Sequence, residues 1–229
     1  MRPLLGSTLL AAVALVLAGC GGGAKGPPPE QVVQAATKAT SAERSFHFVY
    51  DEQHGPPSKK GLHLIFADGD VVLPGNVKAD VTGTLLGLPL RSTLIVVGGR
   101  YYIRNPFTQA WQTVSVATNP AAFFNPAKGV LAVIAGATHL ESAGSEKIGG
   151  QDAYRVKGKV PVSAISPILG NPPSSKLVDV ELWIDKESSR LLRVRILGPV
   201  ESGDPSNAVR TVDLSNYGTA VVIKPPVAS

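Results

Sequence analysis

Apolar positions fall into three patterns along this 229-residue chain, and each predicts a different element. From Leu4 to Leu17 they form an unbroken run. From Glu30 to about Thr40, Val32, Val33, Ala36 and Ala39 recur at helical spacing among Gln31, Gln34 and Lys38, which predicts an amphipathic helix with a narrow, small-residue face. Beyond it the period falls to two. Phe46, Phe48 and Tyr50 alternate with Ser45, His47, Val49 and Asp51, and Leu62, Leu64 and Phe66 alternate with His63, Ile65 and Ala67. His54-Gly55-Pro56-Pro57 ends the first run, and Asp68-Gly69-Asp70 predicts a turn after the second. The third run places Val77, Ala79, Val81, Gly83 and Leu85 on one face and Lys78, Asp80, Thr82 and Thr84 on the other. Strands follow at residues 90–97, 100–104 and 111–114.

Residues 120–140 are rich in apolar residues, with hardly a charge apart from Lys128, and predict one or two buried helices, broken at Pro126 and Gly136. A second strand series runs through 141–159, 178–185, 191–197, 209–214 and 218–223, interrupted by a helical turn at 162–169. The order of helix, strands, helices and strands predicts an α+β fold: a single large curved antiparallel sheet, a half-barrel, with helices on its concave face enclosing a hydrophobic cavity. Gly83, Gly87 and Gly158 lie in or beside strands, where they permit bends. The inward residues of the third strand are small. Periodicity leaves two readings open. Either Phe46, Phe48, Phe66, Phe123, Phe124 and Trp183 fill the interior, or Val77, Ala79, Val81, Leu85, Phe46, Phe48, Leu64, Phe66, Val130 and Ile134 line a cavity for acyl chains, each buried methylene contributing about 0.8 kcal/mol.

The leading apolar run of about fourteen residues follows Arg2 and falls short of the roughly 20 that a membrane span needs, so it predicts an export signal. It ends in Leu17-Ala18-Gly19-Cys20, with the only cysteine of the chain in last place. These four residues resemble the bacterial lipobox. The resemblance implies removal of residues 1–19 as a signal peptide and lipidation of Cys20. Residues 20–29 then form a flexible glycine segment and a stiff proline segment, a tether, before a domain at 30–226. Lys25 is followed by Gly26 where a phosphate-binding loop needs Ser or Thr, and no strand precedes the glycines.

The formal net charge of +5, lowered by one when Arg2 leaves, is dispersed among acids and is not interleaved with aromatics, which argues against a nucleic-acid partner. With Cys20 acylated no thiol remains for a disulfide or thiolate metal site. His47, His54, His63 and His139 lack metal-ligand spacing and are expected to face solvent. No Gly-x-Ser-x-Gly elbow occurs, so neither catalysis nor a cofactor is expected. Arg193 and Arg195 alternate with Leu192, Val194 and Ile196 and are candidates for contact with an anionic headgroup, if they stand at the cavity mouth.

The lipobox, Gly75-Asn76-Val77-Lys78, Gly149-Gly150-Gln151-Asp152-Ala153-Tyr154-Arg155-Val156, Leu182-Trp183-Ile184-Asp185, and the ending Leu214-Ser215-Asn216-Tyr217-Gly218 through Lys224-Pro225-Pro226 together resemble the LppX/LprG-type envelope lipoproteins of actinobacteria. The resemblance spans nearly all of the chain beyond the signal. It implies a fold akin to the carriers LolA and LolB, a cavity that holds acylated lipid or glycolipid, and a cavity-facing role for Val77. It also implies carriage of that lipid within or across the cell envelope by a protein anchored at the outer face of the cell membrane, with a membrane lipid exporter as a candidate partner. The alternative is an envelope lipoprotein with a packed core, acting as a scaffold or signalling module.

Overall fold

The computed structural model describes residues 26–56, 62–85, 87–114, 129–169 and 176–226. Helix α1 (Pro29–Ser41) leads into β1 (Ser45–Gln53), β2 (Leu62–Val72), β3 (Asn76–Leu85), β4 (Leu88–Val97), β5 (Arg100–Arg104) and β6 (Trp111–Val114). A short α2 (Val130–Ala135) precedes β7 (Thr138–Ile148) and β8 (Gln151–Pro161), and α3 (Val162–Leu169) precedes β9 (Leu177–Asp185), β10 (Leu191–Leu197) and β11 (Val209–Ser215). The eleven strands form one open antiparallel sheet in the order β6-β5-β4-β3-β2-β1-β11-β10-β9-β8-β7. Its two halves are each a meander, joined where β1 pairs with β11.

Directly paired residues of antiparallel strands share a face. One row therefore runs from Val156 through Leu182, Val194, Val212, Tyr50, Ala67 and Val81 to Ser92, and it defines the inner face. This face carries the core. Helix α1 begins at Pro29, where a missing N–H costs nothing, with Glu30 and Lys38 at the ends that suit the helix dipole. It buries Val32, Val33 and Ala36 and packs on β7 to β10. Thr40 Oγ1 accepts the N–H of Leu191 at 3.0 Å, and Glu43 pairs with the Arg190 Nε at 2.7 Å, which pins the end of α1 to the start of β10. The outer face of β8 to β10 is an ionic lattice. Glu181 lies 2.8 Å from Arg155, 3.7 Å from Lys157 and 3.5 Å from Arg195, beside Trp183, which sits between the Arg155 and Arg193 guanidinium groups.

Three expectations change. Asp68-Gly69-Asp70 is not a turn, because β2 continues to Val72 and the chain reverses at 73–75. A Cβ on Gly69 would lie 2.3 Å from the Lys78 carbonyl oxygen, so this glycine serves close strand approach, not reversal. Residues 218–223 form no strand. They follow β11, whose two sides are already taken by β1 and β10, so a hairpin back onto β11 is blocked. Of the helices expected across 120–140, α2 covers Val130–Ala135, β7 begins at Thr138, and residues 115–128 lie outside the described residues.

Candidate functional site

The end at which β3 turns into β4 is taken as the upper end of the sheet. Burial on the inner face of β2 to β4 changes along the strands. At the lower end Val71, Val77 and Val96 are paired across three strands and no more than 2% exposed. Ala79 is also buried. Higher up, Val81, Leu90 and Leu94 are half-buried, Leu64 is 41% exposed and Leu88 69%. The dry face thus opens upward. In the other half, under α1, the inner-face residues Val178, Val180, Leu182, Ile184, Val194 and Ile196 are all buried.

Phe46 and Phe48 of β1 are buried on the inner face, and Ile134 of α2 belongs to the same core. Leu85 closes β3 opposite Leu88, and Val130 opens α2. Cys20, Phe123 and Phe124 lie outside the described residues. Phe66 departs from the expected alternation. A register shift between Leu64 and Phe66 leaves Leu64 opposite Gly83 but Phe66 opposite Thr82 and Asp51, so the bulge turns Phe66 to the outer face. There it joins Asp80, Thr93, Arg91 and Arg104 around an open depression of about 730 Å³.

Arg193 and Arg195 also face outward, registered with Asp213 and Thr211 in mid-strand. Arg193 is held by both carboxylate oxygens of Asp213, which keep its guanidinium above the ordinary value, and Arg195 reaches Glu181. The headgroup role expected of these two arginines is therefore withdrawn, since their charges are matched on the face opposite Val77.

Sequence reasoning missed a buried polar cluster at the upper end, where the inward Glu52 and Arg210 meet His63. Glu52 Oε1 lies 2.6 Å from His63 Nε2, and Glu52 Oε2 is 3.0 Å from the Nε of Arg210. Arg210 forms a two-pronged pair with Asp204 at 2.9 and 3.0 Å, and Asp204 in turn accepts the N–H groups of Val200 and Glu201. The Tyr50 hydroxyl donates to Glu52 at 3.2 Å. Burial first, and the Glu52 charge second, push the Tyr50 phenol far above its ordinary range, so it stays a neutral donor. His63 is buried, not solvated as expected. The signal was present in the parity: Glu52 continues the inward series of Phe46, Phe48 and Tyr50, and Arg210 that of Val212 and Leu214.

The sequence profile of the LppX_LprAFG lipoprotein family matches residues 28–223. The lipoarabinomannan carrier protein LprG of Mycobacterium tuberculosis is 30% identical over 233 residues, spanning 96% of this chain and 95% of the relative. The protein of the same name from Mycolicibacterium smegmatis is 26% identical over 231 residues, covering 96% and 94%. Among solved structures, LprF from Mycobacterium bovis superposes with a TM-score of 0.70 at 21% identity, over 88% of this chain and 97% of that one. Lipoprotein LppX of Mycobacterium tuberculosis gives 0.63 at 19%, over 87% and 100%. Each solved chain is matched almost end to end by part of this one, so the fold that they share lies within that part.

Proposed function

Because this chain belongs to the LppX_LprAFG lipoprotein family, we propose that it is a lipid-anchored envelope carrier that takes the acyl chains of a lipid or glycolipid onto the inner face of its sheet. The observation that carries this reading is the upward opening of the inner face of β2 to β4, dry at Val77 and exposed at Leu64 and Leu88. Helices on a concave inner face would complete the cavity, with Val77, Ala79, Val81, Leu85, Phe46, Phe48, Leu64, Val130 and Ile134 along the acyl path. Such a surface replaces the bilayer interior as solvent, and each methylene it shields from water contributes about 0.8 kcal/mol. Residues 1–19 would be removed on export, Cys20 acylated, and residues 20–29 would hold the 30–226 domain off the outer face of the cell membrane. LprG relatives named as lipoarabinomannan carriers support a glycolipid cargo, and a membrane lipid exporter would be the handover partner. The family is one of lipoproteins and carriers, not of enzymes.

The test is the lipid content of the purified domain from Gly26 onward, extracted into organic solvent and read by mass spectrometry, for wild type and Val77→Trp. An indole at position 77 fills the floor of the acyl path, so lipid yield is expected to fall about tenfold or more. Val77 is 2% exposed, so the added bulk is also expected to lower the melting temperature by about 2–10 °C, and lipid is compared below that midpoint. Unchanged lipid in a folded Val77→Trp domain places the cargo elsewhere.

A further inference from the structure

Among the described residues, the large apolar side chains that stand exposed are Leu64, Leu88, Phe107, Leu177 and Val222. Strand direction puts four of the five at one end. Leu88 opens β4 just after the β3–β4 turn, Phe107 sits in the loop between β5 and β6, Leu177 opens β9, and Leu64 lies near the start of β2. All of these are at the upper end. The reversals at the lower end are built from Leu73-Pro74-Gly75, Gly98-Gly99, Gly149-Gly150 and the polar stretch 186–189.

Phe107 is the most exposed of the set, at 83%, and its loop is firmly constructed. Asn105 Oδ1 accepts the N–H groups of Phe107 and Thr108 at 2.9 Å each. The Gln109 N–H donates to the Asn105 carbonyl and the Asn105 N–H to the Ala110 carbonyl, both at 2.9 Å. The Gln109 side-chain amide reaches the Pro106 carbonyl, and Arg104 Nε reaches the Gln109 carbonyl. A loop fixed by this many bonds holds the ring in water, where contact with an apolar partner would shield its exposed area. The cations beside it choose the partner. Arg91 and Arg104 are both exposed and both stand on the wall of the outer-face depression that Pro106 and Gln109 also line. The one acid in that lining, Asp80, accepts a hydrogen bond from Thr93 at 2.7 Å.

We propose that the upper end of the sheet is a docking surface for an anionic bilayer: Phe107 and Leu88 enter the acyl boundary while Arg91 and Arg104 take lipid phosphates. Apolar side chains flanked by arginines match the interfacial zone of a membrane, where rings and alkyl side chains sit beneath a layer of negative headgroups. The same end is where the inner face opens, so the docked bilayer meets the mouth of the acyl path. The purpose of the docking rests on the carrier reading, but the contact itself does not.

The test is flotation of the domain from Gly26 onward, which lacks any anchor, with vesicles of phosphatidylcholine alone or with about a third phosphatidylglycerol. Wild type is expected to float with the anionic vesicles. Phe107→Asp is expected to lower the bound fraction about tenfold or more with no change in melting temperature, since the ring touches solvent and not the core. Arg91→Glu with Arg104→Glu is expected to abolish the preference for phosphatidylglycerol. Equal flotation of wild type and Phe107→Asp, or no flotation of wild type, overturns the proposal, as does a tip that ignores vesicles and cross-links from position 107 to a protein. Organic extraction of the same preparations separates the two readings. Bound lipid without flotation removes the docking surface alone, and flotation without bound lipid removes the carrier alone.

Discussion

Arg210 is 2% exposed, faces the apolar side of the sheet, and is held by Asp204 and Glu52. A charge taken out of water keeps its place only while its partners remain, and breaking such a pair typically costs about 3–5 kcal/mol. Arg210→Ala, which strands both carboxylates, is expected to lower unfolding free energy by about that amount in a urea titration. A loss below about 1 kcal/mol would mean that water reaches the cluster. The identity of these residues was legible from period two alone, because Glu52 and Arg210 fall in the inward series of their strands. Their mutual contact was not, since 158 positions separate residues 52 and 210 and only the β1–β11 pairing brings them opposite each other. Arg193 and Arg195 illustrate the converse. Alternation placed them outward, but not which carboxylates would neutralise them.

At the scale of elements, the helix at 29–41, the strands at 45–53, 191–197 and 209–215, and the helix at 162–169 follow from periodicity, because each repeats its pattern over two or more turns or pleats. The sheet's irregularities do not. Gly69 resembles a turn in sequence, yet it lies within β2 where β3 comes closest, and Gly83 approaches the backbone of His63 opposite the bulge that turns Phe66 outward. A strand glycine marks a bend or a close approach, and sequence alone does not separate these from a reversal. Gly69→Ala puts a methyl carbon within 2.6 Å of the Ala79 Cα, so β2 and β3 must separate. A destabilisation of about 1–3 kcal/mol is expected. Thermal unfolding checks it, and an unchanged midpoint would show that the two strands part freely.

The whole molecule is an asymmetric sheet. One half, β7 to β10, is closed by α1, whose end is tied to β10 through Thr40, Glu43 and the Tyr217 hydroxyl bound to the Leu191 carbonyl. The other half, β2 to β4, is dry at its lower end and open at its upper end, where Leu64 and Leu88 stand exposed. That division explains why periodicity left a packed core and a cavity as open alternatives: inward apolar alternation runs through both halves, and among the described residues α1 covers one of them. On the carrier reading, cargo would enter at the end that carries Phe107 and Leu88.

Native mass spectrometry of the domain from Gly26 onward, purified without detergent, tests that reading most directly. The account predicts a population heavier than the polypeptide by the mass of one diacylated or larger lipid, which collapses to the polypeptide mass when the gas-phase collision energy is raised. A folded domain that carries no such increment, and gains none after incubation with extracted envelope lipids, would contradict it.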